Sequence, residues 1–294
     1  MKKQLKAILN KIPFFNRLIQ QRYIKRKFNV ELALLNKNHI NKSLKTSVIH
    51  FSINKSATQY IKSILRKTAT ANGMTAVGMN DYAFHSTMPF LNRLSNKELG
   101  NYQHIFKPKG YVYTVFGAMV GIKKLDSYKV ILLVRDPRDV LVSGYFSKVF
   151  SHPLPPSRSN KRGKFEGSRQ AAQNRTIDEY VLKNTEKIYD IYTNYIYHLL
   201  EKNTHVYVCK YEEMINDFEG WLMGLCDYAE LELTAELKQQ FIAKHQAKIP
   251  KKEDPKKHLR KGIQGDYKTK LNPETIDNLN IKFKEILNYF VYNE

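Results

Sequence analysis

Cysteine is nearly absent from this sequence, with two in 294 residues, Cys209 and Cys226. Two thiols at that spacing build neither a disulfide framework nor a metal-ligand set, and a reducing compartment is the default for such a chain. Long apolar runs are missing as well. No uninterrupted stretch approaches the ~20 residues that cross a bilayer, so no transmembrane span is expected. Acidic side chains are scarce, 27 Asp and Glu against 49 Lys and Arg, for a formal charge of +22. That excess leaves every polyanion-binding class open: nucleic acid, anionic lipid, glycan, or a small molecule carrying several negative charges. Apolar residues, at 42%, suffice for a core and argue against wholesale disorder.

Acids are missing altogether from residues 1–30, which hold nine Lys and Arg. Leu5, Ile8, Leu9, Ile12, Phe15, Leu18 and Ile19 recur there at helical spacing, interrupted by Pro13. Lysines among those apolar positions argue against a secretory signal. A helix at a membrane interface and a helix packed on the domain's own flank both fit the pattern. The expected location is cytoplasmic, with peripheral membrane contact through residues 1–30 as an option.

The rest reads as one α/β domain over 46–294 behind a basic helical segment, 1–45. Strands are expected at Lys45 to Ile53, Gly110 to Phe116, Tyr128 to Val134 and His205 to Tyr211. Their apolar runs are continuous, as in parallel strands covered on both faces. Helical patterns lie between them, at Thr58 to Ala71, Pro137 to Val149, Ile177 to Leu200 and Asp217 to Tyr228. Ala235 to Ala247 is helical in pattern, and Asn272-Pro273 opens a last helix with proline at its first position. Residues 151–175 carry six Lys and Arg, one Glu and three prolines, which predicts a basic surface loop or lid.

Three stretches have the chemistry to hold phosphates. In "HFSINKSATQYIKSIL" a strand turns into a helix around Lys55, with Ser56 and Thr58 beside it. Backbone N–H groups and the dipole at a helix start favour an anion. This is not a Walker A loop, because G-x-x-x-x-G-K-[ST] is absent. In "VILLVRDPRDVLVSGYFS" Arg135 ends a strand, where open α/β sheets bind ligands. Asp136-Pro137 starts a helix, and Ser143 follows eight residues after Arg135. In "HLRKGIQGDYKTK" Arg260 and Lys261 precede Gly262 and Gly265, whose missing Cβ atoms let backbone N–H groups close on an anion.

Taken together, and with "VYVCKYEEM" (Val206 to Met214) as a fourth piece, these stretches resemble the sulfotransferases that use 3′-phosphoadenosine 5′-phosphosulfate (PAPS). The likeness runs in order from about residue 46 to 285. It implies a three-layer α/β fold with a central parallel sheet, of P-loop NTPase-like sulfotransferase architecture. It implies transfer of a sulfuryl group from PAPS to an alcohol, leaving adenosine 3′,5′-bisphosphate, without a metal. Lys55 would be catalytic, contacting the bridging oxygen. Asn54, Lys55, Ser56, Ala57, Thr58 and Gln59 would cradle the 5′-phosphosulfate. Arg135, Ser143, Arg260, Lys261 and Gly262 would hold the 3′-phosphate, with Tyr60 and Tyr211 against the nucleotide.

Two departures stand out. Ala57 replaces the loop's usual glycine, which matters if that position needs a positive φ. The strand "GYVYTVFGAMVG" lacks the Thr-His pair that carries the base in small-molecule members. His85, His104 and His152 are the candidates, with a Glu as the alternative base, as in glycan-modifying relatives; His85 is foremost as base and His152 as an acceptor contact. The expected acceptor is a small molecule or glycan: a sugar, glycolipid or other polar alcohol, rather than nucleic acid. The sequence leaves the oligomeric state open. A nucleotide-dependent kinase and a non-catalytic polyanion binder are the rival readings.

Overall fold

A computed structural model of the chain describes residues 21–155, 159, 161–203, 205–248, 253–254 and 261–292. Residues 1–20 of the basic N-terminal segment, Arg158 of the lid and Arg260 lie outside the described residues.

The chain runs through α1 (Asn29–Leu35), β1 (Val48–Ser52), α2 (Thr58–Ala71), β2 (Thr75–Val77), α3 (Met79–His85) and α4 (Asn96–Gly100). It continues through β3 (Tyr111–Phe116), β4 (Lys129–Val134), α5 (Pro137–Phe146), α6 (Arg162–Gln173) and α7 (Ile177–Tyr195). It ends with β5 (Val206–Lys210), α8 (Tyr211–Asn216), α9 (Phe218–Tyr228), α10 (Ala235–Lys248), α11 (Tyr267–Lys270) and α12 (Pro273–Tyr289). The five strands form one sheet in the order β2-β3-β1-β4-β5, and each neighbouring pair is parallel. All strands therefore end on the same edge, and β1 sits in the middle between β3 and β4.

Both faces of the sheet are covered, which is why its central strands read as unbroken apolar runs. On one face Ile49, Phe51 and Leu132 pack with Tyr192 and Tyr195 of α7 and Leu279 and Phe283 of α12. On the other, Val48, Ile131 and Leu133 meet Ile61, Ile64 and Leu65 of α2 and Trp221, Leu222 and Leu225 of α9. The tyrosine-rich helix α7 also fastens the strand ends. The Tyr192 hydroxyl donates to the carbonyl of Arg135, and that of Tyr195 to the carbonyl of Phe116 at 3.4 Å.

Three segments show how the structure departs from the sequence expectation. β2 has three residues, too short to leave an alternating or continuous signal. The stretch read as a loop or lid contains α6, twelve residues long. Its glycines and polar residues hide it, because only Phe165 and Ala172 on its inner side have neighbours to bury against. α5 is also shorter than expected and gives way to a wider π-helical turn over Ser147–Ser151. No helix among the described residues is long and apolar enough to cross a membrane.

Candidate active site

The loop after β1 must reverse the chain from strand to helix within five residues, and it does so by left-handed backbone. Lys55 has φ 79° and Ala57, the N-cap residue of α2, has φ 57°. The hydroxyls of Ser52 and Thr58 meet at 2.9 Å and brace the turn. Ser56 is buried, and its Oγ has no hydrogen-bond partner among the described residues. Asn54 and Gln59 are exposed on the rim, and Tyr60 stacks on Phe218 with ring centroids 5.9 Å apart.

Ala57 thus occupies a conformation that glycine adopts freely. A left-handed residue with a Cβ costs about 1–2 kcal/mol, while glycine adds about 0.4–1 kcal/mol of unfolded-chain entropy. Ala57→Gly is therefore expected to raise the unfolding free energy by about 1 kcal/mol, read from urea denaturation. A loss of stability would show that the loop holds Ala57 without strain.

Arg135, at the end of β4, draws the separate stretches together. One guanidinium nitrogen donates to the carbonyl of Lys55 at 3.0 Å, and another to the carbonyl of Ile263 at 3.1 Å and to Asp139 at 3.3 Å. Its guanidinium carbon lies 4.1 Å from the centre of the buried Tyr211 ring. Burial works against the charge, yet Asp139, Tyr211 and Glu212 outweigh it and hold the guanidinium above its ordinary pKa. The Arg135 Nε is buried and has no partner among the described residues. Ser143 lies further along α5, half-buried.

The glycine segment is docked on α5 through Asp139, which sequence reasoning did not single out. Its carboxylate accepts from the N–H of Gly265 at 2.8 Å and from that of Tyr267 at 3.1 Å. Gly262 and Gly265 have φ of 69° and 71°, which a side-chain-bearing residue rarely adopts. The Lys261 ammonium reaches Asp266 at 3.3 Å. Glu212, also unassigned before, accepts from the N–H of Asp136 at 2.9 Å and ties the fourth stretch to the second. Asp139 stands in the first turn of α5, four residues after Arg135.

Lys55 stands among these groups with its pKa lowered to about 8, by burial first and by Arg135 second. Ser56 Oγ and Arg135 Nε, both buried, lack a hydrogen-bond partner among the described residues, as donors that would meet an anion do.

The histidines are spread elsewhere. His85 ends α3, where its ring lies between Tyr23, Phe28 and Phe84 and its Nε2 is 3.5 Å from the Lys27 ammonium. Burial and Lys27 lower its pKa. His104 contacts the carbonyl of Leu35 at 3.1 Å. His152 stacks on Phe165 of α6, 5.5 Å between centroids and 11° between planes. The nearest histidine to Lys55 in sequence, His50, is wholly buried in β1, where burial and then Lys62 push its pKa down to about 3. At the end of β3, where the strand lacks histidine, Asn80 of α3 donates to the carbonyl of Val115 at 2.8 Å.

Comparison with known proteins places this geometry in context. A family model described as the sulfotransferase domain matches residues 45–290. Among solved structures, the chain is similar to mouse sulfotransferase SULT7A1 complexed with PAP, at 16% identity over 88% of each chain and a TM-score of 0.53. It also aligns with retinol dehydratase in a complex with retinol and PAP, at 16% identity over 87% of this chain and 84% of that one, TM-score 0.46. Sulfotransferase STF9 from Mycobacterium avium aligns at 9% identity over 95% of this chain and 86% of that one, also at 0.46. No curated protein matches the sequence.

Proposed function

Since the chain belongs to the sulfotransferase domain family, we propose that it moves the sulfuryl group of PAPS onto an alcohol and releases adenosine 3′,5′-bisphosphate. The observation that carries this reading is the Arg135 junction, where one guanidinium joins the Lys55 loop, the glycine segment and Tyr211 beside two buried polar atoms without partners. In this reading Arg135 and the 261–265 segment take the 3′-phosphate, with Ser143 of α5. Ser56 Oγ and the N–H groups of residues 56–59 take the 5′-phosphate at the start of α2. Tyr60, stacked on Phe218, stands beside the loop and would lie against the nucleotide.

The donor supplies an activated sulfur, and the protein's task is placement and charge. The acceptor hydroxyl oxygen bonds to sulfur and releases its proton to solvent, while the bond from sulfur to the 5′-phosphate oxygen breaks and its electron pair stays on that oxygen. Lys55 would hold its ammonium on that departing oxygen and stabilise the charge gathering there. By analogy with loose phosphoryl transfer, positioning and electrostatics supply most of the rate. His85 stays outside this proposal, since aromatic rings and Lys27 surround its imidazole.

For the acceptor we propose a hydroxyl compound with a ring face, which includes sugars and glycolipids. The charges of the lid do not by themselves select a polar acceptor. Lys161 is spent on main-chain carbonyls, and Arg162 on Glu166 at 2.7 Å. Aromatic rings under the lid support a ring-bearing partner instead.

Calorimetry without divalent metal tests the reading. Adenosine 3′,5′-bisphosphate is expected to bind at least about tenfold more tightly than AMP, since its extra phosphate gains charge-assisted bonds of about 1.5–3 kcal/mol each. Equal, weak and steeply salt-dependent binding of the two would instead indicate a general polyanion binder.

A further inference from the structure

Helix α6 is held at both ends by main-chain carbonyls, and the two fastenings lie on opposite sides of β1. At its start, the Lys161 ammonium donates to the carbonyls of Ala83 at 2.5 Å, Met88 at 2.9 Å and Ser86 at 3.1 Å. All three of its protons are thereby used on the C-terminal end of α3 and the residues after it. Its chain also sits against Phe90, with the nitrogen 4.8 Å from the ring centre. Burial and then Arg93 lower its pKa, in keeping with an ammonium enclosed by protein. Near the other end, Arg169 donates to the carbonyl of Lys148 at 3.3 Å and to that of His152. Between the fastenings, the Phe165 ring touches both flanks, Phe84 of α3 at 5.9 Å and His152 at 5.5 Å.

The sheet order gives these contacts their meaning. α3 is anchored to the end of β3 by the Asn80 bond to Val115, and the 147–152 stretch continues from α5, which follows β4. β1, whose end carries Lys55, runs between β3 and β4. α6 is thus tied to the β3 flank on one side and to the β4 flank on the other, with β1 between those two strands in the sheet.

We propose that Lys161 is a positioning residue that latches α6 across the Lys55 end of β1, as a roof over the acceptor side of the site. Phe84, Phe165 and His152 then form the ring-lined wall beneath it. The word acceptor rests on the sulfotransferase reading; the latch itself does not. An ammonium suits the task because its three protons can serve three converging carbonyls, which a planar guanidinium cannot match.

The test uses the full chain with bound adenosine 3′,5′-bisphosphate and the variants Lys161→Met and Phe165→Ala. Hydrogen–deuterium exchange of residues 162–173 is expected to quicken at least about tenfold in Lys161→Met, with α2 and α12 unchanged. Unchanged exchange in α6 would overturn the latch. Faster exchange throughout the protein would reduce Lys161 to a general stabilising residue and overturn it equally. Sulfation is then followed with 4-nitrophenol and octyl glucoside. Both variants are expected to raise the KM of the better acceptor about tenfold with kcat within about twofold, a loss of uniform binding. Because Phe165→Ala keeps the latch, it reports on the wall even if Lys161→Met folds poorly. Unchanged KM in Phe165→Ala, or no turnover of either acceptor, would overturn the ring wall. Failure of the wild type to bind adenosine 3′,5′-bisphosphate would sink the sulfotransferase reading, while the exchange result on the unliganded chain would still decide the latch.

Discussion

Adenosine 3′,5′-bisphosphate is expected to bind the Arg135→Ala protein at least about 100-fold more weakly than the wild type, since two charge-assisted bonds to the 3′-phosphate are worth about 3–6 kcal/mol together. AMP, which lacks that phosphate, should lose no more than about threefold. The substitution also has a structural cost. It leaves Asp139, whose side chain is 0% exposed, without its cation, a change that typically destabilises by about 3–5 kcal/mol. The two effects separate in the double variant Arg135→Ala/Asp139→Asn. Asparagine still offers an oxygen to the N–H groups of Gly265 or Tyr267 but carries no charge. That protein should regain much of its melting temperature while its affinity for the bisphosphate stays low. If affinity returns together with stability, Arg135 merely supports the fold, and the 3′-phosphate is held elsewhere.

Lys55→Met should lower kcat by about 10²–10³-fold, the range seen when one group stabilising transition-state charge is removed. The bisphosphate should bind about tenfold more weakly, in line with one lost charged bond. The pH dependence gives a sharper signature. In the free protein burial and Arg135 hold the Lys55 pKa near 8, so the ammonium is complete below about pH 7 and is lost as pH rises through that value. A bound polyanion favours the charged form and raises the pKa. Binding at pH 8 should therefore take up about half a proton, and wild-type affinity should fall above that pH. Calorimetry in two buffers of different ionisation enthalpy reads the uptake directly. Lys55→Met should show none of it, and an identical uptake in the variant would mean that another group, and not Lys55, meets the anion.

Legibility of this chain in its sequence varied with how local each signal was. The continuous runs at Val130 to Val134 and Tyr111 to Phe116 announced strands buried on both faces, because the packing that hides both faces also removes the reason for polar alternation. β2 left no such trace, being a three-residue strand that gains its place only by pairing with β3. The phosphate stretches were readable because each combines a strand end, a helix start and a cation within about ten residues. Asp139 was not, since its partners Gly265 and Tyr267 lie 126 and 128 residues away and nothing local marks them.

The sequence by itself determined where the four longer strands and the helices beside them lie, which residues carry charge into their turns, and that four such turns occur in the order of one family. Those properties follow from neighbouring residues along the chain. Only the tertiary structure decided that Arg135 meets Lys55, Ile263 and Tyr211 at one point, that Ala57 stands in a left-handed turn, and that the lid is a helix pinned by Lys161. Each of these depends on a parallel sheet bringing distant strand ends to one edge, and on carbonyls that become available to a lysine only once the helix they end has been placed.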